Sequence, residues 1–144
     1  MRLAIMQPYF FPYLGYFQLI KSVDTFLIYD DVNFIKNGWI NRNQIASKST
    51  GNSPIYFGLT LEGSSSFKKI YEVELNKNPF FKKKLIKKIS SCYFKSKNYN
   101  KVFPMFKRVL DENYNSISEA NYSGIKEVCD FLDINTKIIK TSKG

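Results

Sequence analysis

The opening of the chain leaves few folds available. Arg2 to Gln7 is a short apolar run that reads as a buried first strand, and Pro8 stops it, because proline has no N–H to donate to a sheet ladder. The segment Pro8-Tyr9-Phe10-Phe11-Pro12-Tyr13-Leu14-Gly15 then reads as a loop punctuated by two prolines and a glycine. Leu14, Phe17, Leu19 and Ile20 follow at the spacing of a short helix that ends near Ser22. Asp24-Thr25 breaks the pattern before a second apolar run, Phe26-Leu27-Ile28-Tyr29, which leads into Asp30-Asp31. Strand, loop, helix and strand make a βαβ unit within residues 1–43, and such a unit predicts parallel strands joined by a right-handed crossover.

The remainder is read as the rest of a single α/β domain over residues 1–144. Asn33 to Asn43 looks like an ordered loop, with Asn37-Gly38 as its turn. Lys48 to Ser53 reads as a polar turn, Pro54 to Leu59 as a third strand, and Gly63 to Ser66 as a flexible link. Ile70 to Leu75 alternates and predicts a short strand outside the parallel set. A helical segment covers 78–133: Asn78 caps a helix opened by Pro79, Pro104 starts another, and Ser118-Glu119 starts a third. Thr136 to Lys140 returns as a strand. The chain breaks off after residue 140 with no closing helix, which predicts an incomplete domain. The expected fold is a Rossmann-like parallel sheet flanked by helices.

The residue inventory excludes several chemistries. There is no histidine, so no Ser-His or Cys-His nucleophile can be assembled within this chain. Cys92 and Cys129 sit at apolar helical positions without metal-ligand spacing and read as free, buried thiols. No metal site is expected, and the sequence implies no particular cofactor. Gln7, Pro8 and Pro12 interrupt what would otherwise resemble a signal peptide, and no apolar run reaches membrane-spanning length, so a cytoplasmic protein with no membrane partner is expected. The formal charge of +10 invites a nucleic-acid reading through the lysine-rich helix from Pro79 to Lys97. Against it, the only arginines are Arg2, Arg42 and Arg108, and planar bidentate readout favours arginine. The sequence does not fix an oligomeric state.

Ligands of open α/β sheets sit outside the carboxyl ends of the strands. Two segments leave predicted strands there. The first, Gln7 to Gly15, ends on a helix N-terminus suited to an anion; Gln7, Tyr9, Tyr13, Gly15 and Tyr16 are its candidate substrate-binding residues. The second brings Asp30 and Asp31, which can orient hydroxyls or act as a base. These same carboxylates also fit a loop-opening pair that caps backbone amides. Lys36, Trp39, Asn41, Arg42 and Asn43 follow. An Arg fork suits phosphate, an amide offers paired donor and acceptor, and an indole stacks on a ring. A loop pinned by asparagine turns, with Trp39 packed inward, fits the same residues. Asp30, Asp31 and Lys36 are the candidate catalytic groups.

Met6 to Phe17, Asp24, Tyr29-Asp30-Asp31-Val32, Lys36, Trp39 and Asn41-Arg42-Asn43 together closely resemble the WbqC-like protein family. The resemblance is specific over Met1 to Asn43 and looser to about Lys140, and it implies the N-terminal two thirds of a member. Members occur in bacterial polysaccharide gene clusters, notably those for O-antigen of lipopolysaccharide. The resemblance therefore implies an enzyme, or part of one, acting on a nucleotide-linked sugar, with aminoacyl or acyl transfer to an amino sugar as the implied transferase step. A non-catalytic sugar-nucleotide-binding module of a polysaccharide-synthesis complex is the alternative. The first loop is also similar to that of nucleotidylyltransferases, where a His-x-Gly-His sequence holds phosphates. Here Tyr13-Leu14-Gly15-Tyr16 replaces both imidazoles by phenols, which supply no cation at neutral pH.

Overall fold

In the computed structural model, which describes residues 1–45 and 53–143, the first strand, β1 (Leu3–Met6), is followed by helix α1 (Leu14–Lys21) and strand β2 (Thr25–Ile28). β1 and β2 pair in parallel, with Ala4 opposite Phe26 and Met6 opposite Ile28. After the helices the chain returns as β5 (Lys137–Lys140), parallel to β2 on its other side, with Ile138 opposite Phe26 and Lys140 opposite Ile28. The sheet order is β1-β2-β5. This is an α/β fold with a three-stranded parallel sheet flanked by helices. Arg2 ties the start of β1 to the turn before β2: its N–H and guanidinium reach Asp24 at 2.7 and 3.3 Å.

A sheet that grows in one direction through right-handed crossovers receives its helices on one face. Accordingly, Tyr16, Phe17 and Ile20 of α1 share a cluster with Phe26 and Ile28 and with Ile125 and Cys129 of helix α4 (Ile117–Phe131). Each large apolar side chain buried there contributes about 1.5–3 kcal/mol. The opposite face carries Ile5, Leu27 and Ile139 in register across the three strands. There Leu3 and Ile5 stay 54% and 50% exposed, so β1, expected as a buried strand, has one open face. Parallel sheets are ordinarily covered on both sides.

Between β2 and α4 lies a second layer. β3 (Arg42–Ile45) and β4 (Ile55–Gly58) form an antiparallel ribbon separate from the parallel sheet. The predicted third strand is therefore real, but its partner is β3, whose first two residues, Arg42 and Asn43, fall in the stretch expected to be loop. Gly58 permits the pairing. A methyl group there would lie 2.3 Å from the Asn41 carbonyl oxygen and 2.8 Å from Arg42 Cα. Helices α2 (Pro79–Tyr93) and α3 (Tyr99–Asp111) pack Leu85, Ile89, Phe106 and Leu110 on this ribbon through Phe57, Ile45 and Phe10.

Three expectations are corrected. Ile70 to Leu75 is not a strand: Ile70–Glu72 is a 3-10 turn, because Ile70 and Val73 are both drawn into one apolar cluster with Phe34, Ile40 and Ile117. Pro104 does not start a helix; it lies on the exposed side of α3, where the lost bond to an earlier carbonyl is the cost and the buried Met105, Phe106 and Val109 hold the helix regardless. α4 begins at Ile117, with Ser116 as its cap accepting from the Glu119 N–H at 3.3 Å. By contrast Asn78 does cap α2, accepting from the Phe80 N–H at 3.0 Å. The polar turn expected at Lys48 to Ser53 lies, except for Ser53, outside the described residues.

Candidate functional site

Because β1 and β2 are parallel neighbours, the segments that follow them leave the sheet side by side; the Tyr29 N–H donates to the Met6 carbonyl at 2.8 Å. Asp30 is completely buried. Its Oδ1 accepts from the Ser142 N–H at 2.9 Å, and its Oδ2 accepts from the hydroxyls of Ser142, at 2.8 Å, and Ser118. The carboxylate thus joins the end of β2, the first turn of α4 and the Thr141–Lys143 turn after β5. Asp31 is only half-buried and accepts from the Thr141 hydroxyl at 2.9 Å. Of the paired carboxylates, Asp30 is enclosed and fully engaged, whereas Asp31 keeps access to solvent.

The proline-flanked loop is held by side chains from elsewhere. Asn43 Nδ2 donates to the carbonyls of Phe10 and Phe11 at 3.1 and 2.7 Å. The Phe10 N–H donates to the Trp39 carbonyl at 2.9 Å. Asn121 Nδ2, on α4, donates to the carbonyls of Pro8 and Ile40 at 3.0 and 2.7 Å, so one buried amide clamps both loops. Its Oδ1 is buried and has no hydrogen-bond partner among the described residues. Phe11 sits at φ 45°, a conformation uncommon for a residue with a side chain.

The candidate residues separate into three groups. Tyr16 belongs to the core, fully buried, with its hydroxyl donating to the Gln7 carbonyl at 3.0 Å. Burial there pushes the phenol far above its ordinary range. Tyr9 is half-buried, 5.8 Å from the Tyr16 ring centroid. A second group serves the backbone. Arg42 donates to the carbonyls of Gly38 and Asn37 at 3.3 and 2.5 Å, with its guanidinium 4.7 Å from the Tyr56 ring centroid. Asn41 donates to the Leu59 carbonyl at 3.3 Å. These two, with Asn43, pin turns and ribbon.

The third group faces outward. Tyr13 is 63% and Trp39 42% exposed; Gln7 is half-buried; Lys36 is exposed and donates to the Ser66 hydroxyl at 2.7 Å. Gly15 lets the Tyr13 ring lie along the start of α1, since a methyl there would meet Tyr13 Cε2 at 2.7 Å. Among the described residues no group of histidine, cysteine, aspartate and glutamate side chains is arranged to hold a metal ion. Nor is any described helix long and apolar enough to cross a membrane.

The sequence profile of the WbqC-like protein family matches residues 7–144, from the loop after β1 to the end of the chain. The chain belongs to that family. An uncharacterized protein of Mycobacterium tuberculosis, Rv1507c, is 28% identical over 138 residues, covering 95% of this chain. The chain spans 58% of that relative's length. No solved structure matches the chain.

Sequence reasoning missed Ser118, Asn121, Thr141 and Ser142. Asn121 had a readable signal, an amide set among Ile117, Ala120, Gly124 and Ile125 on an otherwise apolar helix face. The other three carry only hydroxyls, and nothing in their spacing announces a contact with a carboxylate more than eighty residues earlier.

Proposed function

We propose that this WbqC-like chain acts on a nucleotide-linked sugar in bacterial surface-polysaccharide biosynthesis, as the ligand-holding part of an enzyme that transfers an acyl or aminoacyl group to an amino sugar. The fold underlying this reading is Rossmann-like, of the kind found in nucleotidylyltransferases. The observation that carries it is the shared carboxyl edge of β1 and β2. There the loop bearing Tyr13 and the half-buried Asp31 emerge as neighbours, in the position where parallel sheets hold ligands.

In this reading Asp31 orients a sugar hydroxyl or takes its proton, with Asp30 fixing the turn that carries it. The first turn of α1 makes no side-chain cap bond at Tyr13, which favours a phosphate beside Gly15. Lys36 neutralises charge, and Trp39 with Tyr13 stacks on a ring. Gln7 and Tyr9 line the inner side, while Asn41, Arg42 and Asn43 support the loops. A second reading, a binding module that presents the sugar nucleotide to another enzyme, is favoured by one feature: Asp30 has its oxygens engaged within the protein and offers no base.

Trp39 is the sole tryptophan, so its fluorescence reports on this surface directly. Titration with uridine- and thymidine-diphosphate sugars should change its emission saturably, and Asp31→Asn and Lys36→Ala should each weaken the response. Emission unchanged by every nucleotide-sugar would end the proposal. Saturable binding without turnover of any acyl donor would select the binding-module reading.

A further inference from the structure

On the helix-covered face of the sheet, at the carboxyl end of β5, Lys140 is only 8% exposed. Among the described residues no carboxylate lies within ion-pair distance of its ammonium, and no acceptor is hydrogen-bonded to it. Its ammonium lies 5.8 Å from the centroid of the Tyr122 ring. That is near the outer limit of about 6 Å for a cation over an aromatic face. The buried part of Lys140 is therefore its stem, and its unpaired ammonium is the end that a ligand can reach.

Lys140 and Tyr122 line a hollow of about 440 Å³, open to solvent, together with Lys143, Tyr114, Ser123 and Glu119. The one carboxylate, Glu119, already accepts from the Asn115 N–H at 2.9 Å. The Tyr114 hydroxyl donates to Ser123 Oγ at 2.8 Å, which leaves the Ser123 proton for another acceptor. Glu119, Tyr122 and Ser123 all stand in the first two turns of α4, where the helix dipole favours negative charge.

We propose that this hollow is a binding site for an oxyanion, a phosphoryl group or a carboxylate, held between Lys140 and Lys143 with the Ser123 hydroxyl as a further donor. The site is built from α4, β5 and the turn after it, and it uses neither Trp39 nor Lys36. It goes beyond the proposed function and stands whether or not a nucleotide-sugar binds near Trp39.

The test is calorimetric titration of the full chain with sodium pyrophosphate, inorganic phosphate and sodium acetate, at ionic strength held constant with chloride. Saturable binding is expected, weakened about tenfold or more in Lys140→Met, which keeps the buried stem and removes the charge. Binding of the phosphates but not acetate assigns a phosphoryl ligand; the reverse assigns a carboxylate. Absence of saturable binding by all three probes overturns the proposal, as does equal affinity in Lys140→Met. If that variant does not fold, amide chemical shifts of the unaltered protein decide. Those of Ser123, Lys140 and Lys143 should move saturably with the bound probe, and shifts confined to the lysines of α2 would overturn it.

Discussion

The side-chain amide of Asn43 donates to the Phe11 carbonyl at 2.7 Å, and Phe11 is held there at φ 45°. The same amide reaches the Phe10 carbonyl, so a strand of the ribbon fixes the loop that leaves the parallel sheet. Asn43→Asp removes the donor and aims a carboxylate at two carbonyls. It should destabilise the protein by about 2 kcal/mol, more than Asn43→Ala, as read from urea unfolding midpoints. Equal midpoints for wild type and Asn43→Asp would show that the loop holds its shape without this amide.

Asp30 lies in the described candidate site yet should affect folding first. Asp30→Ala strands Ser118, Ser142 and the Ser142 amide without their acceptor, at a cost on the order of 3 kcal/mol. Asp31→Ala, which loses one hydroxyl donor at a half-buried position, should cost about 1 kcal/mol or less. Thermal melts of the two variants side by side check the ranking, and a reversed order would mean that the enclosed carboxylate is dispensable.

Gly58→Ala should destabilise by about 1–3 kcal/mol, because the added methyl would meet backbone atoms of Asn41 and Arg42 rather than a side chain that can swing away. Gly63→Ala, at an open position with φ 61°, should cost less, about 1 kcal/mol from backbone conformation alone. Chemical denaturation of both variants gives the comparison.

Burial pushes the Cys129 thiol up from its ordinary 9.0 to about 11. An unfolded chain ionises that thiol near pH 9 while the folded one does not. This contribution to stability is therefore complete below pH 9 and fades as pH rises toward about 11. The buried Tyr16 phenol, also pushed upward by burial, acts with the same sign from its ordinary value of 10.0 upward. Unfolding midpoints should fall across pH 9–11, and less steeply in Cys129→Ala. Thiol reagents at pH 8 should label the half-buried Cys92 well before Cys129.

The sequence disclosed those elements whose ends carry backbone-specific residues. Pro8, Pro12 and Gly15 bracket the loop between β1 and α1, and Asn78-Pro79 marks the start of α2; both sets act through local geometry, so tertiary contacts do not alter their meaning. β3 was illegible because Arg42-Asn43-Gln44-Ile45 has no apolar alternation. Its strand geometry comes from pairing with β4 and from the close approach at Gly58. Ile70 to Leu75 misled for the opposite reason, an alternating pattern whose apolar side chains are gathered by a tight turn.

Site residues were harder. A side-chain amide or guanidinium donates to a backbone carbonyl as readily as to a ligand, and residue type alone cannot distinguish the two. Asn41, Arg42 and Asn43 spend their donors on carbonyls of Leu59, Asn37, Gly38, Phe10 and Phe11. Trp39, whose type fits an inward-packed loop equally well, remains substantially exposed, as does Tyr13.

The bond from Ser142 to Asp30 spans 112 positions of chain. Contacts of such separation carry a large loop-closure entropy and form after the local helices and hairpins that shorten the effective loop. The edge of the sheet where Asp31 sits therefore depends on a closure that almost the whole described chain must complete. A variant that loosens β5 from β2 is expected to free that carboxylate before it disturbs the pairing of β1 with β2.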